Sequence, residues 1–216
     1  MAYTVPNGSL VYISGAFSTA VAVSAASNAA ESVLTTSIAH GITTGEYFEF
    51  VCNWSRASGN IYRAKAASAS TLTVEGLDTT LTGVFAAGGG VGTVRRITSW
   101  VQLQQILSSA SNGGEQQFTT FQPLDADAER RVPTNKSASG LTFSIGDDPA
   151  LAGYILASAA NDDRLARGLR IDLPSTSKLL YSAYISLNKT PSLTVNEVMQ
   201  VELTASLVNA PVRYAT

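Results

Sequence analysis

One histidine and one cysteine occur in 216 residues, so few side chains here could do nucleophilic or metal chemistry. A Ser or Cys nucleophile needs a base, in most cases His, and a third group to orient that base. The lone candidate, His40, lies in Ala39-His40-Gly41-Ile42-Thr43-Thr44-Gly45-Glu46, where flanking glycines mark a turn before a strand. A structural or solvated role is expected for it. Cys52 follows Phe50 and Val51 in an apolar run and reads as a reduced, buried thiol. This set makes neither a disulfide framework nor a Cys/His zinc site. Asp125-Ala126-Asp127-Ala128-Glu129 gathers three carboxylates, yet it lacks the central glycine and further oxygen ligands of a calcium loop, and Arg130-Arg131 follow at once. The glycine-rich run 88–92 leads into no helix start and no Lys-Ser/Thr pair, so it reads as a connector, not a phosphate cradle. Asp162-Asp163-Arg164 with Arg167 reads as an exposed turn with local ion pairs. No catalytic, cofactor-binding or metal site is predicted, and no cofactor; the chain does not read as an enzyme.

Composition points the same way. Charged residues make up 14% of the chain, against roughly 25% in ordinary soluble domains. The net charge of −2 and pI near 5.4 argue against a protein that holds nucleic acid by neutralising phosphates. No run approaches the ~18 apolar residues that span a bilayer. The first charged residue is Glu31, so the positive start of a secretory signal is missing and a cytoplasmic site of synthesis is expected. A chain rich in Ala, Ser and Thr and poor in charge suggests a surface that something else covers.

The elements that must position these residues are strands. Leu179, Tyr181, Ala183, Ile185 and Leu187 alternate along one face, as do Met199, Val201, Leu203, Ala205 and Leu207. Leu169, Ile171 and Leu173, and Leu141, Phe143 and Ile145, repeat the pattern of half-buried strands. Asp147-Asp148-Pro149 predicts a helix start, with Leu151, Ile155 and Ala159 facing a sheet and Asn161 as the stop. Residues 17–91 are richer in Ala and Gly, with short strands at Tyr47–Val51, Asn60–Ala66 and Thr71–Glu75. They hold five acids and three bases, whereas 92–216 hold eleven of each. The expected fold is mainly β: a β-sandwich or barrel from residues 1–16 and 92–216, with one flanking α-helix, and a small all-β inserted domain at 17–91. Trp54, Tyr47 and Tyr62 could form a sugar-binding platform, but they sit in strand patterns that favour a core.

A long strand from Thr93 to Ile106 is expected to pair with Gln116–Phe121 in a hairpin that turns at Ser108–Gly114. The segment Pro123–Ser139 then reads as a long charged loop, and loops of that length are commonly functional. With no catalytic group in it, its natural use is contact with another subunit.

In order, these are the long strand pair, Thr119-Thr120, the charged loop with Glu129-Arg130-Arg131 and Pro133, Gly140-Leu141-Thr142-Phe143-Ser144, the helix after Pro149, and the closing strands Leu180–Leu187 and Val198–Leu207. This succession resembles the major tail tube protein of long-tailed, siphophage-type bacteriophages. The resemblance implies a structural virion protein that forms stacked hexameric rings around a lumen for DNA passage, assembled in the host cytoplasm. Its implied partners are further copies of itself, a tape measure protein, and tail terminator and tail-tip proteins, with DNA only in transit and no membrane. It places Ile97, Trp100, Gln102, Gln104, Gln116 and Thr120 on a lumen hairpin, and Asp125, Asp127, Glu129, Arg130, Arg131 and Lys136 on an inter-ring loop. The alternative is another phage component: a head-tail joining, tail-completion or decoration protein.

Overall fold

The computed structural model describes residues 7–215. The chain is mainly β, with fifteen strands and one helix among the described residues. Five short strands come early: β2 (Val21–Ala26), β3 (Val33–Thr36), β4 (Tyr47–Cys52), β5 (Asn60–Ala67) and β6 (Thr71–Val74). With the first part of β7 (Gly92–Leu103) they bond in the order β2-β3-β6-β5-β4-β7, and β7 pairs back to β2. Six strands thus close into a barrel with no free edge. Val94 faces Phe50 of β4 on one side and Val21 of β2 on the other. Gly92 enters this seam where a Cβ would lie 1.9 Å from the Val51 carbonyl, so only glycine fits. Phe48, Phe50, Leu34 and Leu72 are fully enclosed and fill the barrel, each contributing about 1.5–3 kcal/mol of burial. Trp54 plugs one end, its indole N–H donating to the Ala86 carbonyl at 2.8 Å.

β7 does not stop at the barrel. From Ile97 onward it pairs antiparallel with β1 (Leu10–Phe17), Val101 opposite Ile13 and Leu103 opposite Val11. A second sheet follows in the order β7-β1-β12-β13-β14-β11-β8. Its members are β8 (Ile106–Asn112), β11 (Gly140–Gly146), β12 (Ala166–Asp172), β13 (Lys178–Asn188) and β14 (Gln200–Leu207). The expected single strand Thr93–Ile106 is instead two. Gln104 and Gln105 bend the chain, Gln105 at a left-handed φ of 57°, and carry it from one end of the sheet to the other. The sheet therefore curls around one core of Ile13, Leu103, Phe143, Ile145, Leu169, Ile185 and Leu203. Of the alternating faces expected for β11 to β14, Phe143, Ile145, Leu169, Tyr181, Ala183, Ile185, Leu187, Val201, Leu203 and Ala205 are buried and Leu141, Ile171, Leu179 and Leu207 half-buried, whereas Met199 is exposed and Leu173 lies past the end of β12.

Helix α1 (Ala152–Asp163) closes this core, but not on its expected face. Gly153, Ala157 and Ala160 are buried, whereas Ile155 is 56% exposed and Ala159 lies outside. The reason is close approach: a Cβ on Gly153 would meet the Gln102 carbonyl at 2.5 Å, so small residues bring helix and strand backbones together. Asp148 accepts from the Ala150 N–H at 3.1 Å, ahead of the helix and not as its cap. The helix ends at Arg164 in a left-handed conformation, three residues past Asn161. Asn161 instead accepts the Leu187 N–H through Oδ1.

A third cluster joins the two bodies: Tyr47 and Ile61 from the barrel, Ile97 from β7, Leu180 from β13 and Tyr214 from β15 (Val212–Tyr214), which pairs with β13. The Tyr214 hydroxyl accepts the Arg63 N–H at 2.9 Å and donates to the Glu75 carbonyl at 3.2 Å. Beside it the Arg170 guanidinium stacks on Tyr12, Trp100 and Tyr47 at 4.3, 5.0 and 5.6 Å from the ring centroids.

Candidate functional site

The residues that looked chemically able are structural. His40 is buried, its Nδ1 accepting the Ile42 N–H at 3.0 Å while Nε2 faces the Thr71 carbonyl at 3.3 Å. That pairing holds the turn before β4, and no nucleophile is hydrogen-bonded to the ring. Cys52 is half-buried, and burial pushes its thiol pKa up, away from the reactive thiolate. Tyr47, Trp54 and Tyr62 are all buried, so none offers a ring face to a sugar. No helix among the described residues is long and apolar enough to cross a membrane.

What stands out is a part of the chain with nothing to pack against. Among the described residues β9 (Gln116–Phe121) and β10 (Arg130–Lys136) pair only with each other, and every residue of both is exposed. The hairpin they belong to is not the expected one. β7 pairs with β1, and Ile106–Phe121 pairs with Arg130–Gly146: Ile106 faces Ile145, Asn112 faces Gly140, Phe118 faces Pro133 and Phe121 faces Arg130. Gly113-Gly114, expected as the turn, is a break inside one continuous arm. Across it the Ser137 N–H donates to the Glu115 carbonyl at 2.9 Å and the Glu115 N–H to Ser137 Oγ at 3.0 Å. Both glycines have positive φ, and a Cβ on Gly113 would lie 1.9 Å from the Ala138 carbonyl. The expected loop Pro123–Ser139 is therefore a tip of residues 122–129 followed by strand β10. The whole arm reaches up to about 50 Å, at ~3.3 Å per residue.

Each face of the outer arm carries large apolar side chains. Phe121 and Val132 lie on one face, Phe118 and Pro133 on the other, with Arg131 stacked over Phe118 at 5.1 Å. Phe118, Phe121 and Val132 are 45–51% exposed, and Leu124 at the tip is fully exposed. Apolar groups exposed on both faces of a ribbon are characteristic of interaction surfaces, and a two-stranded ribbon is marginal alone. The outer edge from Ile106 to Phe121 has no bonded neighbour and one charge, Glu115. It carries no lysine or proline of the kind that protects an edge against another chain, and its one register shift lies at Leu107, next to the sheet core.

The expected site residues divide by position. Gln116 and Thr120 are exposed on the arm and Gln104 is exposed at the bend that leads into it, whereas Gln102 is half-buried on β7, opposite Tyr12 of β1. Ile97 and Trp100 are likewise off the arm: Ile97 is buried in the junction cluster, and Trp100 packs on Tyr47 and Arg170. Asp125, Asp127 and Glu129 sit on the tip, and Arg130, Arg131 and Lys136 on β10. Sequence reasoning missed Phe118, Phe121, Leu124 and Val132. Their signal was available, since each is a large apolar residue among polar neighbours in a stretch with no complementary strand of its own.

Among the described residues the side chains that could do chemistry are held in structural roles, and the arm is the part left exposed on both faces. The chain belongs to the phage tail tube protein family (TTP), whose model matches residues 52–216. That makes it a structural virion component and not an enzyme. The match begins at Cys52, within the barrel, at the end of β4. No curated protein matches the chain. Among solved structures, it is similar to a chain of the sheath–tube complex of an extracellular contractile injection system (PVC, extended state). There the identity is 15% and the TM-score 0.36, over 50% of this chain and 80% of that one. It is also similar to a chain of the anti-feeding prophage cap (AFP tube terminating cap), with 18% identity and a TM-score of 0.38, over 53% and 83%.

Proposed function

We propose that this chain forms hexameric rings that stack into a tail tube around a lumen through which DNA passes. The observation that carries the reading is the arm, exposed on both faces and unpaired along its outer edge. In a ring the edge Ile106–Phe121 bonds to the neighbouring subunit, which satisfies its free backbone groups. Gln104, Gln116 and Thr120 then supply the polar, uncharged side chains suited to a wet inner wall. A wall of that kind neutralises no phosphates, so DNA slides past without the counterion release that would hold it. The tip and β10, with Asp125, Asp127, Glu129, Arg130, Arg131 and Lys136, make the contacts with the adjacent rings. The barrel, closed on itself, stands on the outside. Assembly takes place in the host cytoplasm, with a tape measure protein inside the tube and terminator and tip proteins at its ends.

Electron microscopy of the purified chain tests this directly. Rings of six copies or hollow tubes are expected. Monomers at every protein and salt concentration tried would reject the reading, and so would a lumen lined mainly by Arg and Lys.

A further inference from the structure

Where the outer arm of β9 and β10 begins, a cleft of about 580 Å³ opens between it and the barrel, lined by Arg56, Asn60, Gln116, Asn135, Lys136 and Asn209 among others. Its two cations have no carboxylate partner among the described residues, and both are exposed. They are nevertheless held in place. Arg56 sits in a turn where the Ala57 and Ser58 N–H groups donate to the Trp54 carbonyl at 3.0 and 2.9 Å. Asn209 ties the other wall to that turn by donating to the Ser58 carbonyl at 2.8 Å. Lys136 is fixed opposite Gln116 in the arm ladder.

At the far end of the same arm the imbalance has the opposite sign. Residues 122–129 form a tight turn, the Ala126 N–H donating to the Pro123 carbonyl at 3.1 Å and Gln122 Nε2 to the Ala126 carbonyl at 2.9 Å. The turn presents Asp125, Asp127 and Glu129, none ion-paired among the described residues and all exposed; of the two bases that follow on β10, Arg131 is turned onto the Phe118 ring and Arg130 lies opposite Phe121. Within one copy the acids cannot reach the cleft. β9 alone separates them by about 17 Å at ~3.3 Å per residue, against a screening length of about 8 Å at physiological ionic strength.

We infer that the acidic tip of one copy docks in the Arg56–Lys136 cleft of the next copy along the tube. This pairing rests on the stacking proposed above and names its receptor. Its logic is head-to-tail: donor and acceptor lie at opposite ends of one arm, so each contact leaves a free tip and a free cleft and the series extends without closing. Lys136 and Arg56 meet two or three carboxylates, and the amides of Asn135 and Asn209 supply further donors. The same two cations are too few to retain a nucleic acid backbone, where useful affinity takes several phosphate contacts.

The test uses the full-length chain and reads polymer by high-speed pelleting and electron microscopy, with circular dichroism as the check on folding. Three variants are compared with the wild type: the tip reversal Asp125→Lys/Asp127→Lys, the cleft reversal Arg56→Glu/Lys136→Glu, and all four changes in one chain. Each reversal alone is expected to abolish stacked polymer while leaving single rings, and the combined chain is expected to restore it. Polymer surviving either reversal, or not recovering in the combined chain, would overturn the pairing. So would a cleft reversal that loses retention of added duplex DNA but still polymerises. Should a reversal fail to fold, Arg56→Gln/Lys136→Gln and Asp125→Asn/Asp127→Asn replace it with the same expected loss. Absence of rings and tubes from the wild type would instead reject the stacking itself, which keeps the two failures apart.

Discussion

The barrel and the arm are made from similar residues and treat their hydrogen bonds in opposite ways. Both are short-stranded and rich in Ser, Thr and Ala. In the barrel each strand has two bonded neighbours, β7 closing the ring against β2, and the aromatic residues point inward. In the arm β9 and β10 have one neighbour each, and Phe118 and Phe121 lie in the open. The charged groups divide likewise. Around the barrel Glu49 pairs with Arg95, Glu75 with Arg63 and Glu31 with Lys65. At the arm Asp125, Asp127, Glu129 and Arg130 have no such partner among the described residues. A surface of weakly polar residues is thus no guide to whether a region is finished. The state of its edges and the location of its aromatics are.

That contrast can be broken at several points. The most severe change is Leu203→Asp or Ile185→Asp, which buries a lone carboxylate in the sheet core that supports the arm. A loss of roughly 5 kcal/mol or more is expected, seen as failure to fold by circular dichroism. Next is Phe48→Ala, which empties the barrel and costs about 3–5 kcal/mol in chemical denaturation. We propose that the barrel is its own folding unit, so amide exchange should rise across β2 to β6 while β11 to β14 stay protected. An equal rise in both would show a single cooperative unit. Third, Phe118→Ser/Phe121→Ser is expected to change monomer stability by no more than ~0.5 kcal/mol and yet to abolish polymer in pelleting assays. Loss of stability instead would mean that the arm is already packed within one copy.

The smallest effect is alkaline. Burial pushes the Tyr62 phenol up to about 12, against the weaker opposing hydrogen bond from Asn60, and burial raises Tyr214 as well. The unfolded phenol titrates near about 10. The folded state therefore keeps a proton that the unfolded state loses. The contribution is whole below pH 10 and drains away as pH rises from there toward 12. Denaturation midpoints measured across that window should fall, and Tyr62→Phe should flatten the curve.

Much of the fold could be read from period-two patterning, because one buried face imposes it on β11 to β14 without regard to the neighbours. The barrel strands β4, β5 and β6 were bounded by their turn residues. The helix face was misread because Leu151 and Ile155 outweigh Gly153, Ala157 and Ala160 on any apolar scale, although close packing selects for the absence of a side chain. The arm was misread for a related reason. Gly113-Gly114 carries the residues of a hairpin turn, and the sequence does not say that the chain runs straight through them. Pairing is decided by Phe143 and Ile145, which need β8 beside them to close the core. The charged tip was recognised as a contact element, but its apolar companions were hidden in a stretch that lacks any within-chain face to pattern against.

β7 also has a mechanical meaning. Its twelve residues run without a break from the barrel seam at Gly92 to the sheet core at Leu103. A pull on the barrel is thus carried along the strand into the β1 ladder, from Phe17 opposite Ile97 to Val11 opposite Leu103. Loaded in that direction the hydrogen bonds share the force together and do not unzip one by one. Tyr214, bonded to Arg63 and Glu75, adds a second strut against twisting. Whatever drags on the barrel therefore acts on the whole subunit as a lever with no pivot.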